Sequence, residues 1–380
     1  MTRTNPHFRF EIIHQSKKSK ARIGRIHTPH GLIDTPNFVA VGTNGTLKAL
    51  DNQSVNQLEL QLMFCNTYHM LLQPGPEIVK KAGGLHKFIN RKGPLITDSG
   101  GFQVFSLAYG SVASELKSKG CKKAEGGVLK INEEGVLFRS YRDGNKILLT
   151  PESSVQAQKD LGADIIIPLD ELPPYHIQEK DLLSSLDRTH RWEKRSLLKH
   201  LENPAQQAMY AVIHGGINCS LRKLSIDTLS SLPFDGFAIG GSLGKNKKEM
   251  IDMLTFTMDH LPYESPNHLL GIGDLESIQL SIPLGIDTFD SSYPTRAARH
   301  GIIFTKKGPL NVTKAIYKED FSGLEVGCVC QTCQHYSKSY LHHLFKAKEM
   351  TAMSLASLHN IAFMIDLMKR YRQNILEDRI

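Results

Sequence analysis

Short apolar runs recur along the chain, and each is followed by a polar residue or glycine and then by a longer stretch with helical character. The runs lie at residues 38–42, 62–66, 95–98, 165–170, 210–215, 236–241, 269–273 and 286–290. Continuous apolar character, rather than strict alternation, is typical of strands that are covered on both faces, as in parallel sheets. Eight such strands alternating with helices favour a closed (β/α)8 TIM barrel of the α/β class over an open sheet.

The residues at which these runs end are the first candidates for chemistry. They are carboxylate, amide, imidazole or glycine positions: Asn66, Asp98, Asp170, His214, Gly240, Gly241, Gly271 and Asp290. In a barrel the carboxyl ends of the strands lie on one face, and barrel enzymes carry their active sites there. Any one of these residues could simply meet solvent at a strand end, but the set as a whole predicts an active site at this face.

Two segments interrupt the repeat. Residues 8–14 and 21–27 predict two strands of an antiparallel cap, and residues 126–151 predict a β-hairpin inserted between the third and fourth barrel strands. The predicted domains are an N-terminal cap (1–30), a catalytic barrel (31–301) and a C-terminal subdomain with helices (302–380) that holds a cysteine cluster.

This cluster places Cys328, Cys330 and Cys333 within six residues. Three thiolates need a fourth ligand to complete a tetrahedral zinc site, and histidine is the usual one. The candidates are His335, His342, His343 and His359. We favour His359, because it lies in a predicted helix over 350–368 that the site would fasten to the cysteines. A closed Cys3His shell leaves no open position, so the predicted zinc is structural; the alternative is three buried thiols without metal.

Bulk properties exclude little. The chain of 380 residues is 40% hydrophobic and carries a net charge of +8, which indicates a polyanionic partner only weakly because the basic clusters at 17–22, 117–123, 245–248 and 369–372 are scattered. Residues 1–7 lack the apolar core of a signal peptide, and we expect no run that approaches a membrane span. The isolated Cys65, Cys121 and Cys219 suggest reduced thiols and hence the cytoplasm.

Basic residues follow the last predicted barrel strand. We predict a strand at 285–289 with Asp290 at its end, and Arg296 and Arg299 then follow at a spacing of three. A carboxylate at a strand end is held rigidly, and guanidinium groups bind phosphate bidentately. The segment therefore predicts a carboxylate that attacks a substrate whose phosphates are held alongside. The alternative is a surface aspartate beside a solvated basic turn.

Three acids are expected at the rim: Asp98, Asp170 and Asp290. They suit a reaction at a sugar anomeric carbon, in which one carboxylate forms a glycosyl ester, a second handles the proton of the leaving group and a third binds a base edge. The spacing does not decide which acid has which role, and each alone could be a helix-capping acid. After Asp98, two glycines let backbone N–H groups approach a ligand, and Phe102 offers a flat face for a planar ring.

Taken together, the motifs resemble bacterial-type tRNA-guanine transglycosylase, the queuosine-pathway family that is also called queuine tRNA-ribosyltransferase. The resemblance extends over about residues 8–370 and is carried by Asn66-Thr67-Tyr68-His69, Asp98-Ser99-Gly100-Gly101-Phe102-Gln103-Val104, Phe289-Asp290, Pro294-Thr295-Arg296 and the set Cys328, Cys330, Cys333 and His359. It implies a homodimeric barrel enzyme with one structural Zn2+ per chain. Such an enzyme replaces the wobble guanine of GUN-anticodon tRNAs with a 7-deazaguanine by double displacement.

The resemblance also implies roles for matching positions. Asp290 matches the nucleophile, and Asp98 matches the general acid/base. The base would be held by Ser99, Gly100, Gly101, Phe102, Asp170, His214, Gly240 and Gly241. The anticodon loop would be contacted by Gly271, Ile272, Gly273, Asp274, Leu275, Glu276, Ser277, Thr295, Arg296, Ala297, Ala298 and Arg299. A flipped-out nucleotide could reach a barrel mouth.

The chain departs from the family pattern around the base pocket. His214 stands where glutamine is usual, Leu172 stands where cysteine is usual, and the loop 240–245 is one residue shorter, with Lys245 in place of an acid. These changes lead to the hypothesis that the incoming base is queuine rather than its 7-aminomethyl precursor. Two alternatives remain: a non-catalytic RNA-binding subunit, which should have lost Asp98 or Asp290, and a zinc-dependent barrel hydrolase, which would need metal ligands from several strand ends.

Overall fold

The structure is a computed structural model that describes residues 5–109 and 127–380. The basic cluster at 117–123, Cys121 and the first residues of the predicted cap and hairpin lie outside the described residues. The strands are β1 (Arg9–Gln15), β2 (Arg22–Thr28), β3 (Gly31–Thr35), β4 (Asn37–Val41), β5 (Met63–Cys65), β6 (Leu95–Thr97), β7 (Val128–Ile131), β8 (Val136–Arg139), β9 (Lys146–Leu149), β10 (Ile165–Ile166), β11 (Ala208–Ile213), β12 (Gly236–Ile239), β13 (Asn267–Leu269), β14 (Thr288–Ser291), β15 (Ile302–Ile303) and β16 (Leu310–Asn311).

Helices connect the strands and form the C-terminal part of the chain. They are α1 (Asn52–Gln57), α2 (Thr67–Leu72), α3 (Pro76–Lys81), α4 (Leu85–Phe88), α5 (Gly101–Tyr109), α6 (Pro151–Leu161), α7 (Glu179–Glu202), α8 (Cys219–Ser230), α9 (Lys247–His260), α10 (Leu275–Ser281), α11 (Tyr293–Arg299), α12 (Gln331–His335), α13 (Lys338–Ala347) and α14 (Met350–Leu376). Short 3-10 turns lie at Ile282–Leu284 and Ala315–Tyr317.

Eight parallel strands close into a barrel, which confirms the predicted fold. Around the barrel the order is β4, β5, β6, β10, β11, β12, β13 and β14. The last strand pairs with the first, with Phe289 opposite Phe38. Because every strand runs in the same direction, the carboxyl ends that carry the predicted site residues lie at one face.

The boundaries of β13 and β14 differ from the predicted ones. β13 begins at Asn267, before the expected 269–273, because polar Asn267 is satisfied inside the fold and donates to the carbonyl of Gly285 at 3.0 Å. β14 begins only at Thr288, because Gly285 has a φ of +92° and ends the preceding 3-10 turn instead of starting a strand. Glycine tolerates this left-handed conformation without a steric cost.

The N-terminal cap contains three strands rather than the predicted two. β3 pairs antiparallel with β2 after a tight turn, and the prediction missed this short strand. Arg22, the last residue of the basic cluster at 17–22, is buried. Its Nε and Nη2 atoms donate to Asp287 at 3.0 and 2.6 Å. This ion pair fastens the cap to the segment that leads into β14.

A second contact fixes the cap to the amino-terminal end of the barrel. Asp164, just before β10, accepts hydrogen bonds from His30 Nδ1 at 2.7 Å and from the backbone N–H of Leu95 at 2.8 Å. The rings of His30 and His86 stack with centroids 3.5 Å apart. Burial acts to raise the pKa of Asp164, but hydrogen bonds from both histidines hold it well below the usual range for aspartate.

The predicted hairpin insertion is present between β6 and β10, but it is a three-stranded sheet because β9 pairs with β8. It packs on the barrel through Tyr68 and Phe138, whose ring centroids lie 5.4 Å apart. The indole N–H of buried Trp192, on α7, also donates to the carbonyl of Glu133 at 2.9 Å. The sheet is therefore held against the barrel rim next to α2.

Helix α14 extends beyond the predicted 350–368. By length and composition it could cross a membrane, which the sequence expectation missed, but half of its apolar window is buried inside the protein. Asn360 in this helix donates to the carbonyls of Pro294 and Ile302 at 3.0 and 2.9 Å. The helix is thereby tied to α11 and to β15, and its apolar composition is explained by this packing.

Candidate functional site

Asp98 follows β6 and is 8% exposed. Its Oδ1 atom accepts from the backbone N–H of Thr67 at 2.7 Å, and its Oδ2 atom accepts from Asn66 Nδ2 and Gln103 Nε2 at 2.8 Å each. Burial raises the pKa of Asp98 to about 6, against the opposing effect of these hydrogen bonds. A carboxyl group with this pKa can both give and take a proton near neutral pH.

The local fold explains these partners. Asn66 occupies the N-cap position of α2, yet its side chain makes no capping bond and is directed at Asp98 instead. The first N–H of α2, that of Thr67, also points at this carboxylate. Free N–H groups at a helix N-terminus favour a negative charge. Sequence reasoning quoted these residues as part of motifs but did not identify them as partners of Asp98.

Asp290 lies in β14 and is 7% exposed. Its Oδ1 atom accepts from the backbone N–H of Gly271 at 2.6 Å and from His268 Nε2 at 3.1 Å. In the part of the chain that the structure describes, both recorded hydrogen bonds to this carboxylate fall on Oδ1. One oxygen is thus anchored, whereas Oδ2 accepts no hydrogen bond from the described residues. The prediction did not include His268, because the predicted strand began at residue 269, directly after it.

The predicted base-binding residues lie together beside Asp98. Asp170 accepts from Ser99 Oγ at 3.2 Å and from His214 Nε2 at 2.8 Å. A Cβ atom at Gly101 would lie 2.9 Å from the carbonyl oxygen of Asp170, so only glycine permits this approach. The side chain of Phe102 is 52% exposed at the start of α5. The structure therefore joins Ser99, Asp170 and His214 next to Asp98, and the exposed ring of Phe102 follows in the same segment.

The turn after β12 closes the other side of this region. Gly241 has a φ of +73°, and a Cβ atom there would lie 3.0 Å from His214 Nδ1. A cavity of about 250 Å3 is lined in part by His214 and Gly241. Its wall continues over Pro173, Tyr175, Ile177, Leu182, Ile217, Asn218 and Ser242. Tyr175 Oη donates to Glu249 at 3.2 Å, which links one wall of the cavity to the first turn of α9.

The segments predicted to contact RNA are only partly exposed. Thr295, Ala297 and Ala298 are buried in α11, whereas Arg296 is exposed and Arg299 is half-buried. In the segment 271–277 the exposed residues are Gly271 and Glu276. Asp274 caps α10 through the N–H of Ser277 at 3.1 Å and pairs with Lys247 at 2.8 Å.

The C-terminal cluster brings together the predicted metal ligands. The Sγ atoms of Cys328, Cys330 and Cys333 lie 3.8, 3.5 and 3.2 Å from His359 Nδ1. A tetrahedral zinc ion with bonds of about 2.1 Å to nitrogen and 2.3 Å to sulfur separates these atoms by about 3.6 Å. His359 Nε2 lies 2.8 Å from the carbonyl of Phe304, which directs Nδ1 to the thiols. The donor set and its spacing therefore fit a zinc ion.

Fold and site together define a class of protein. This is a (β/α)8 barrel with buried carboxylates at the carboxyl ends of its strands, the face at which barrel enzymes carry their active sites. Its candidate metal centre stands apart from them, in a closed Cys3His arrangement that suits a structural ion.

Similarity to known proteins identifies the family. The chain belongs to the queuine tRNA-ribosyltransferase family, whose model matches residues 16–380. The queuine tRNA-ribosyltransferase of Protochlamydia amoebophila (strain UWE25) is 70% identical over 374 residues, which are 98% of this chain and 97% of the relative. The protein of the same name from Chlamydia caviae is 56% identical over 373 residues, covering 98% and 99% of the two chains.

Proposed function

We propose that this chain is a tRNA-guanine transglycosylase of queuosine synthesis, a pentosyltransferase that replaces the wobble guanine of GUN-anticodon tRNAs with a 7-deazaguanine. The observation that carries the proposal is the pair of carboxylates at one barrel face, each held differently. Asp98 is surrounded by three donors and has a raised pKa, whereas Asp290 is anchored through one oxygen only. Two acids with unequal surroundings suit an acid/base and a nucleophile.

The reaction proceeds by double displacement. Oδ2 of Asp290 forms a bond to C1′ of the ribose while the glycosidic bond breaks, and the electron pair leaves with guanine. Protonated Asp98 supplies the proton that the departing purine needs. The incoming base then gives its N9 proton to the Asp98 carboxylate and attacks C1′, and the ester bond to Asp290 breaks. Both acids return to their starting states, and two inversions give net retention at the sugar.

The base lies between Phe102 and the polar groups around Asp170. Phe102 stacks on the purine ring, and Asp170 accepts hydrogen bonds from its guanine-like edge. Ser99 and His214 both hold Asp170 and thereby orient it. The backbone of Gly100, Gly101, Gly240 and Gly241 completes the pocket, since glycines let peptide groups approach the base closely.

The anticodon loop lies across the segments 271–277 and 295–299. Exposed Arg296 and half-buried Arg299 hold phosphates, because guanidinium groups form bidentate contacts with them. The buried members of these segments, Thr295, Ala297 and Ala298, support α11 rather than touching the RNA through their side chains. The wobble nucleotide is flipped out of the loop into the barrel mouth.

The incoming base is queuine, with its cyclopentenediol group, rather than the 7-aminomethyl precursor. The cavity of about 250 Å3 supports this, because its lining includes His214 and Gly241 of the proposed base pocket and it offers room for a bulky substituent. Lys245, in the neighbouring loop, pairs with Glu249 at 3.5 Å and offsets the attraction of that carboxylate for a cationic aminomethyl substituent. Exchange rates of the two bases with purified enzyme test the idea, and a clear preference for the aminomethyl base would contradict it.

The zinc ion is structural and is bound by Cys328, Cys330, Cys333 and His359 within the proposed subdomain 302–380. The role of the zinc ion is to hold α14 against the segment that carries the three cysteines. The remaining proposed units are the cap at 1–30 and the catalytic barrel at 31–301, although β3 pairs with the cap sheet. We place the enzyme in the cytoplasm, where its tRNA substrates and reduced thiols are expected.

The active form is a homodimer with the zinc subdomain near the interface. Exposed apolar side chains concentrate in this subdomain: Ile316, Phe321, Val326, Val329, Tyr336 and Tyr340. Phe321, Tyr336 and Tyr340 also line one open depression of about 480 Å3. Exposed apolar surface of this kind marks interaction sites. Sedimentation tests the proposed homodimer. The wild type should sediment as a dimer and Phe321→Arg, which places a charge in the apolar surface, should shift toward the monomer. A wild type that sediments as a monomer would refute the dimer.

Trapping of the covalent intermediate tests the proposed activity. Wild-type enzyme incubated with tRNA should give an RNA–protein adduct, and Asp290→Asn should give none. Asp227→Asn, which removes an exposed acid of α8, is the matched control and should form the adduct. An adduct in Asp290→Asn at the wild-type rate would refute the assignment of the nucleophile. The absence of any adduct with the wild type would refute the mechanism.

A further inference from the structure

The inserted three-stranded sheet presents an aromatic ring and a cation at the barrel rim. Tyr141 and Arg142 lie in the turn between β8 and β9, which closes through the N–H of Ser140 to the carbonyl of Asn145 at 2.8 Å. The side chain of Tyr141 is 57% exposed. The Arg142 guanidinium lies 5.9 Å from the centroid of its ring.

Contacts with α2 determine the position of this pair. The ring of Tyr141 stacks on that of buried Tyr68 with centroids 6.2 Å apart, and its hydroxyl lies 3.4 Å from His69 Nδ1. Arg142 donates to Gln73, which follows the last residue of α2. One side of the Tyr141 ring is therefore supported, while more than half of the side chain remains open to solvent.

The same helix connects this surface to the reacting centre. Thr67, directly before Tyr68, donates its N–H to Asp98 at 2.7 Å. Tyr141 thus rests on the residue adjacent to a direct partner of the acid/base. RNA whose wobble nucleotide enters the mouth must pass its neighbouring nucleotides over the rim.

The rim carries two cations, Lys48 and Arg142, and one acid, Asp143, whose carboxylate accepts hydrogen bonds from Asn145 within the same turn at 3.2 and 2.6 Å. Burial, followed by the charges of Lys48 and Arg142, lowers the pKa of His69, so its imidazole is neutral at neutral pH. Of the two cations, Arg142 is the one that lies beside the exposed ring of Tyr141. Single-stranded RNA is held where cations meet exposed aromatic rings, because bases stack on the rings and phosphates pair with the cations.

We propose that Tyr141 and Arg142 form a second RNA-binding surface, which holds a nucleotide of the anticodon loop next to the exchanged one. Tyr141 stacks on the base of that nucleotide, and Arg142 pairs with its phosphate. The surface lies on the inserted sheet and is separate from the segments 271–277 and 295–299. The inference rests on the proposed tRNA substrate.

Binding of labelled tRNA, followed by fluorescence anisotropy, tests the surface without depending on catalysis. Tyr141→Ala should weaken tRNA binding by roughly tenfold, the usual order for loss of one stacked base. Tyr141→Phe keeps the ring and should recover most of the affinity. Arg142→Ala should lower the slope of log affinity against log salt by about 0.7, the value for one phosphate contact on a single strand.

The matched control is Lys369→Ala, which removes a cation paired with Glu59 just before β5, at the opposite end of the barrel. It should keep the wild-type salt slope. In base exchange, the loss in Tyr141→Ala should fall on KM for tRNA more than on kcat, and thermal unfolding should show that the variant is folded. Wild-type tRNA affinity in Tyr141→Ala would overturn the proposal. A different result would refute the proposed activity and leave the RNA-binding surface standing: wild-type enzyme that binds tRNA but forms no covalent adduct.

Discussion

The protonation of Asp98 controls the first half-reaction, and removal of one of its hydrogen-bond donors should shift the pH dependence. Gln103 Nε2 donates to Asp98 Oδ2 at 2.8 Å and stabilises the charged carboxylate. A hydrogen bond to a charged group contributes about 1.5–3 kcal/mol, and one pKa unit corresponds to about 1.4 kcal/mol. Gln103→Met keeps the side-chain volume and should therefore raise the pKa of Asp98 from about 6 by about 1–2 units.

The direction of the effect on rate follows from the mechanism. Departure of guanine needs the protonated acid, so the rate of adduct formation at low tRNA concentration should fall about tenfold per pH unit above the pKa of free Asp98. In Gln103→Met this decline should begin about 1–2 units higher, which makes the variant faster than the wild type at alkaline pH. Asn66→Leu removes the other donor to Oδ2 and should act in the same direction.

Rapid-quench measurement of adduct formation between about pH 5 and 9 provides the assay. Gln156→Met, on the exposed face of α6, is the matched control and should reproduce the wild-type profile. Identical profiles for the wild type, Gln103→Met and Asn66→Leu would refute the assignment of Asp98 as the acid. A shift to lower pH would show that the donors do not act through the charged carboxylate.

Three further predictions concern the stability of the fold. Cys330→Ala should lose the zinc ion and unfold at a lower temperature, whereas His335→Ala should retain one zinc per chain; elemental analysis and thermal unfolding measure both. Asp287→Ala leaves Arg22 buried without its carboxylate and should lower the free energy of unfolding by about 3–5 kcal/mol in guanidinium chloride titrations, and a loss below about 1 kcal/mol would contradict this. Because the folded-state pKa of Asp164 lies below its unfolded value, its stabilisation is present above about pH 4 and is lost as the pH falls. The difference in unfolding free energy between wild type and Asp164→Asn should shrink below that pH, and a constant difference would exclude the linkage.

The two carboxylates of the site show why burial and partners matter more than residue type. Asp98 and Asp290 have nearly equal exposure, 8% and 7%. The three donors of Asp98 engage both of its oxygens, whereas His268 and Gly271 engage only one oxygen of Asp290. An acid whose oxygens are both engaged is suited to exchange protons in place, and an acid with one open oxygen can form a bond.

Periodicity and short spacing were sufficient for several conclusions from the sequence alone. The eight apolar runs predicted the closed barrel, because strands covered on both faces leave a continuous apolar signal. The spacing of Cys328, Cys330 and Cys333 predicted a metal site, because ligands so close in sequence can converge without help from the rest of the fold. The order of the motifs along the chain resembles that of a known family and thereby indicated the activity. The family match agrees with this expectation.

Other features depended on contacts between residues far apart in the chain. Four histidines could have completed the cysteine cluster, and only the packing of α14 brings His359 to it, 26 residues beyond Cys333. The sequence also did not predict the hydrogen-bond partners of Asp98 and Asp290. Nor did it predict the burial of Arg22 or the contacts that support Tyr141. A local pattern reports on the periodicity of its own segment, whereas these contacts exist only after barrel closure brings distant segments together.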